Sequence, residues 1–225
     1  MSELLDRVQC SQSELLEGLQ TVNAIRLNAT NWCLIDSDMR MRIVSLIGNV
    51  ISEHSWSWGN VPKSEAVQAI SDIEAKEIIE QVFDHYFDPQ GRVNREKLCR
   101  FYGEYLLQSS TVFNCKEFLQ IWQESLPIID DPEDPGFTAN LDQLDGIALC
   151  NEEQIRFFPE WKLPVTIQDR LTVLFDSKEK WSLSEITPFV INMTTPKLNV
   201  KALLTKYARA SRVNGEQVFS SKHHN

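Results

Sequence analysis

From residue 197 to the last residue, the sequence places Lys197, Lys201, Lys206, Arg209, Arg212 and Lys222 against one acid, Glu216. This stretch carries a net charge of +5, while the 196 residues before it carry −15, for a total of −10. Lysines and arginines gathered in this way neutralise phosphates and release their condensed counterions, the sequence-independent part of nucleic-acid binding. Lys197, Lys201, Lys206, Arg209 and Arg212 are therefore the candidate DNA-binding residues. Catalytic candidates are few. Of four histidines, His223 and His224 lie in a polar tail, His54 ends a helical pattern and His85 sits within one. No HExxH, Walker loop, CxxC pair or GxSxG is present, so neither a catalytic centre nor a cofactor is expected and the chain reads as a non-enzyme. The acidic run 130–136 superficially suggests calcium, but Pro135 falls where an EF-hand ligand belongs, and the run reads as a solvated linker.

The elements that must hold these residues are mostly helical. Leu15, Leu16, Leu19, Val22 and Ile25 form one apolar stripe. Similar stripes recur in Ile43–Ile51, 78–86, 98–105 and 200–207. Each predicted helix is short with one wet face, so it must pack against neighbours. Hairpins are expected at 24–27 with 32–35, at 146–150 with 154–158, and at 211–213 with 216–219. The last turns through Asn214-Gly215, the strongest two-residue hairpin signal because both central positions need positive φ. The tryptophans Trp56, Trp58, Trp122 and Trp181 lie at element starts beside apolar stripes and read as packing residues.

Three segments share a shape. Trp56-Ser57-Trp58 before a helix at 63–70, Phe113-Asn114 before 115–126, and Lys180-Trp181 before 183–192 each bring a short aromatic strand into a helix. Helix, short strand, helix, helix, hairpin is the order of a winged helix, a helix-turn-helix with a β-wing behind it. The fold class expected is mainly α with short β-hairpins, organised as tandem winged-helix domains. The boundaries read as 1–37 (partial), 38–93 (winged-helix-like, with a poor hairpin at 87–92), 94–164 and a basic 165–225.

In the last of these, 197–209 is expected to cover the entry and body of the helix before the wing, the position that reads DNA in helix-turn-helix proteins. Lys197, Lys201 and Arg209 would share its outer face and Arg212 would open the wing. The equivalent helix of the second unit carries Glu74, Glu77, Glu80 and Asp84 against Lys76, the third offers Asp142 and Asp145, and the first Glu14 and Glu17. Such faces repel phosphate, so they read as spacers or protein-docking surfaces. The N-terminus lacks the charged and apolar regions of a secretory signal, no stretch reaches about 20 apolar residues, and five scattered cysteines read as reduced thiols. A nuclear or cytosolic location follows.

The blocks WSWGNVP (56–62), FNCKEFLQIWQESLP (113–127), LDQLDGIAL (141–149), EKWSLSEITPFV (179–190) and ALLTKYARASRVNG (202–215) resemble, in order, the C-terminal half of one family. It is the defective-in-sister-chromatid-cohesion subunit family of the alternative, replication factor C-like clamp loader. The resemblance implies a nuclear, non-catalytic subunit of a complex that loads and unloads the sliding clamp (PCNA) at replication forks. It also implies tandem winged helices, the last contacting single- and double-stranded DNA, a role that falls here on Lys197, Lys201, Lys206, Arg209 and Arg212. In the family, the N-terminal half forms a β-barrel with two chromosome-transmission-fidelity subunits that grips the catalytic subunit of DNA polymerase epsilon. No counterpart of that half occurs here, so Met1 is expected to stand where a longer protein was cut, as a fragment, an isoform or a shortened gene product.

The reading that results is a protein of tandem winged helices that positions a clamp loader on DNA. The alternative is a protein-interaction scaffold whose acidic winged helices dock other subunits and whose basic end meets an acidic partner. A sequence-specific transcription regulator is the weaker rival, since Asn199 alone would have to read bases.

Overall fold

A computed structural model describes residues 8, 10–21, 24–26, 32–129, 134–151, 153–213 and 215–222. The chain divides into two compact units, Met1–Tyr105 with Gln123–Ala139 and Leu106–Trp122 with Asn140–Asn225.

Among the described residues, the elements of the first unit begin with helix α1 (Gln12–Thr21) and the antiparallel pair β1 (Ala24–Arg26) and β2 (Trp32–Leu34), in register Ala24↔Leu34. The expected hairpin is there; its turn at 28–31 lies outside the described residues. Ile25, assigned to the helical stripe by its spacing, pairs with Cys33 in the hairpin instead. Helix α2 (Ser37–Glu53) starts where Asp36 accepts a hydrogen bond from the Met39 N–H at 2.7 Å and ends at His54. Its stripe Ile43, Val44, Ile47, Val50 and Ile51 is buried as the period demands. Helices α3 (Lys63–Ile70) and α4 (Lys76–Tyr86) pack on it, burying Ala66, Val67, Ile70, Ile79, Val82, Phe83 and Tyr86.

The aromatic segment at 56–58 forms turns rather than a strand. Trp58 is buried all the same, its ring 6.2 Å from Phe87 in a parallel stack and 5.2 Å from Phe137 edge-on. The 87–92 segment is a tight turn, closed by a bridge between Phe87 and Val93 and by Gly91 at φ 77°. The acidic run is not wholly solvated. Asp134 accepts from Arg95 at 2.6 Å and Arg95 also reaches the Gly136 carbonyl, which pins that end; residues 130–133 lie outside the described residues. Arg95 belongs to α5 (Arg95–Gln108), whose last residues, from Leu106, belong to the second unit.

The second unit holds two three-stranded antiparallel sheets of the same design. In the first, β3 (Phe113–Asn114) leads into α6 (Cys115–Ser125), whose last residues, from Gln123, belong to the first unit; a 3₁₀ turn covers Leu141–Leu144, and the hairpin β4 (Ala148–Cys150) and β5 (Gln154–Phe157) closes the sheet in the order β3-β5-β4. In the second, α7 (Ile167–Ser177), β6 (Trp181–Ser182), α8 (Leu183–Val190), α9 (Val200–Tyr207), β7 (Arg209–Val213) and β8 (Glu216–Ser220) follow one another, with sheet order β6-β8-β7. Ser182 and Glu185 form a capping box at the start of α8, satisfying the backbone N–H groups that the first helical turn leaves free. The core gathers Leu171, Leu174 and Phe175 from α7, Ile186, Phe189 and Val190 from α8, and Leu203 and Leu204 from α9. These pack on Trp181 and its cross-strand partner Phe219.

The protein is mainly α with short antiparallel strands, as its sequence predicts. Among the described residues, no helix is long and apolar enough to cross a membrane.

Candidate nucleic-acid interface

Helix α9 is shorter than its sequence predicts. Asn199 caps it, its side-chain oxygen accepting the Ala202 N–H at 2.9 Å, and Ala208 ends it in an extended conformation. Asn199 is thus occupied at the helix start. Lys197 precedes the helix, inside a turn held by the bridge between Thr195 and Leu198. Arg209 does not continue α9 but opens strand β7, paired with Ser220 of β8. The expectation that Lys197, Lys201 and Arg209 line one helix face is therefore corrected. Arg212 lies on the wing strand as expected, opposite Gln217.

The basic residues are distributed over this short segment in a definable way. Leu203 and Leu204 bury the inner side of α9. At 100° per residue, Lys201 and Lys206 flank that buried stripe on opposite sides, about 140° apart across the wet surface. Successive side chains in a strand point to opposite faces, so Arg209 and Arg212 emerge on opposite faces of β7. Cross-strand partners share a face. Arg212 accordingly lies on the side of Ala210 and the buried Phe219, and Arg209 on the outer side with Ser211 and Val213. All five side chains are exposed, and among the described residues none forms an ion pair. Lys206 also lies 5.0 Å from the centroid of the Tyr207 ring.

The acidic segment 74–84 of the first unit, helix α4 with Glu74 in the turn before it, is different. Glu74 meets Arg42 at 3.1 Å, Glu80 meets Lys76 at 3.7 Å and Asp84 meets Lys63 at 2.6 Å. Three of the four acids named from the sequence therefore have cationic partners, and that surface is less anionic than the helix alone implies.

Two residues carry more than their sequence context suggests. Lys222 adds its positive charge beside α9, donating to the Lys206 carbonyl at 2.5 Å. Arg170, on the inner side of α7, is only 5% exposed. Its guanidinium pairs with Glu160 and donates to the carbonyls of Pro164 at 2.7 Å and Phe189 at 2.8 Å. It thereby ties the segment before α7 to the C-terminal part of α8, and so sets the platform on which α9 and the hairpin sit. The one signal available in the sequence was its position in the apolar stripe beside Leu171 and Leu174.

The histidines and thiols form no site among the described residues. His54 is a helix C-cap whose ring nitrogen lies 3.2 Å from the Val50 carbonyl oxygen. His85 is half-buried, and burial, reinforced by Lys97 and Arg40, lowers its pKa to about 4. None of the five cysteines is in a disulfide. Burial, with Cys115 beside it, raises the Cys150 pKa to about 11, which makes a reactive thiolate there unfavourable at neutral pH. No cluster of metal-ligating side chains occurs among the described residues.

Comparison with known proteins decides the family. The model of the family "Sister chromatid cohesion protein Dcc1" matches residues 1–190. This chain belongs to the Dcc1 family. The human sister chromatid cohesion protein DCC1 is 32% identical over 231 residues, covering 98% of this chain and 57% of the human protein. The Xenopus tropicalis protein of the same name is 33% identical, over 98% of this chain and 58% of its own length. The Saccharomyces cerevisiae protein is 22% identical, over 99% and 62%. The chain therefore spans little more than half the length of these Dcc1 relatives. The family model ends at residue 190, before the basic segment, whereas the relatives align across nearly the whole chain.

Proposed function

We propose that this chain acts in sister chromatid cohesion as a non-catalytic, nuclear subunit that holds its partners on DNA. Family membership supports the cohesion role. The resemblance read from the sequence supplies the setting: an alternative, replication factor C-like clamp loader working on PCNA at replication forks, with chromosome-transmission-fidelity subunits and the polymerase epsilon catalytic subunit as neighbours. On this reading the helix–strand–helix–helix–hairpin order of 165–225 is a winged helix, with α9 and the β7–β8 wing as its DNA-facing parts. The 94–164 segment is a second winged helix in which a 3₁₀ turn replaces the third helix.

The observation that carries the DNA contact is that the exposed cations of 197–212 meet no carboxylate among the described residues, in a chain that is otherwise strongly acidic. Because Arg209 and Arg212 leave β7 on opposite faces, not all five can meet one run of phosphates. About four contacts is the upper bound, so log K falls with log salt no more steeply than about −3.6. Anisotropy of a labelled 20-nucleotide single strand and of its duplex, titrated with the full chain, tests this. A loss of up to about 150-fold in affinity between 50 and 200 mM salt is expected. Reversing Lys201, Lys206 and Arg209 together to glutamate abolishes binding. A triple variant that binds as wild type refutes the site, and a wild type that binds neither probe at 50 mM salt favours the scaffold alternative.

A further inference from the structure

Beside the basic segment the second unit carries a concave notch of about 300 Å³ whose lining combines apolar side chains with two lysines. One wall is a single stripe of α7, in which Gln168, Leu171, Thr172 and Phe175 recur at helical spacing. Leu171 and Phe175 are buried and supply its apolar part, while Thr172 is exposed. The end of α9 contributes Lys206 and Tyr207, the Lys206 ammonium lying 5.0 Å from the Tyr207 ring centroid, and Lys222 adds a second cation to the lining. Among the described residues no carboxylate lines the notch, although the chain is acidic. Asp169, one residue from Gln168, turns back to the Thr166 hydroxyl at 2.6 Å. The carbonyl of Lys206 at the negative end of α9 is masked by the Lys222 ammonium at 2.5 Å.

Aromatic and apolar side chains beside cations are the chemistry of a nucleotide site: a base against Tyr207 and a phosphate near the lysines. The volume sits at the lower end of small-ligand pockets and suits one nucleotide rather than a strand. A base inside a duplex cannot enter, because its faces are already stacked and its edge paired. We infer that this notch takes one unpaired deoxynucleotide, and that it gives the chain a preference for single-stranded DNA or a frayed end over blunt duplex. The inference rests on the DNA contact proposed above and adds to it a ligand and a selectivity.

Two variants separate the notch from the general contact. Thr172→Trp fills the notch from an exposed position without changing charge, and Lys206→Ala with Lys222→Ala removes its cations; retention of fold is read from circular dichroism. Full-length chains are titrated with labelled (dT)12 and with a blunt 12-base-pair duplex. Thr172→Trp is expected to weaken (dT)12 binding at least fivefold, the lower end of what one base–aromatic stack contributes, and to leave duplex binding unchanged. The lysine pair is expected to weaken both probes, the single strand more. If Thr172→Trp leaves both probes unchanged while the lysine pair weakens them equally, the notch is overturned and the general phosphate contact stands. If the wild type binds neither probe, the DNA contact falls and the notch with it.

Discussion

Replacing Arg170 tests how the basic segment is held. Its side chain is 6% exposed and that of Glu160 19%, so the pair is largely removed from water. Arg170→Met keeps an unbranched apolar stem and removes the guanidinium with its charge. Four interactions then lapse together: the ion pair, the bonds to the Pro164 and Phe189 carbonyls at 2.7 and 2.8 Å, and a longer one to the Leu163 carbonyl at 3.5 Å. Breaking a buried pair by removing one partner costs about 3–5 kcal/mol, because the other charge stays buried without compensation. Each unpaired buried carbonyl alone would cost about 1–3 kcal/mol, but these losses overlap within one network and do not add in full. The expected destabilisation is about 4 kcal/mol. For a chain of this length that corresponds to a fall in Tm of about 8–16 °C. Urea unfolding followed by tryptophan fluorescence reads it, since Trp181 is buried in the same core and donates to the Leu174 carbonyl at 3.1 Å. Adding Glu160→Leu to Arg170→Met recovers part of the loss, because an apolar pair in place of a buried ion pair is neutral or stabilising. A loss below about 1 kcal/mol for the single variant, or a double variant no more stable than the single, would refute the reasoning.

Two further outcomes follow from the first unit. The depressed pKa of His85, about 4, arises from burial and then from Lys97 and Arg40. An unfolded histidine titrates near 6.5, so the unfolded chain binds the proton first; the stability is full above that pH and declines as pH falls toward 4. His85→Gln is expected to flatten this slope in urea midpoints measured from pH 7 to pH 4, and an unchanged slope would contradict it. Gly91 sits at φ 77°, and a Cβ there would stand 2.1 Å from the Val61 carbonyl oxygen. Gly91→Ala is expected to cost at least about 2 kcal/mol, from the strained backbone and from the displaced Val61–Gly91 hydrogen bond, measured as a shifted urea midpoint.

Local pattern made the scaffold legible. Period-3.6 stripes such as Ile43 to Ile51 decide which side of a helix is buried wherever it packs. Asn214-Gly215 marks a hairpin because the turn needs positive φ, and Gly215 stands at φ 87°; Asn214 lies outside the described residues. The charge imbalance needs only counting. Where the local preferences were nearly equal, the sequence was silent. Nothing in Tyr207, Ala208, Arg209 and Ala210 favours a stop, since alanine and arginine are good helix formers. Helix α9 ends there because β8 offers Arg209 to Val213 a strand to pair with, a non-local contact that overrides propensity.

What the sequence alone determined is the set of short amphipathic elements, their order along the chain, and the gathering of cations near one end. Only tertiary structure decided which of those cations share a face. It also made Arg170 a buried tie between α7 and α8, and it brought Lys206, Tyr207 and Lys222 together with the α7 stripe in the lining of one notch. The physical reason is range. Periodicity and turn chemistry act over a few residues, whereas the partners of Arg170 lie 6 to 19 residues away and Lys222 meets Lys206 across 16. Such meetings exist only once the core formed by Trp181, Phe219 and the α7 stripe has closed.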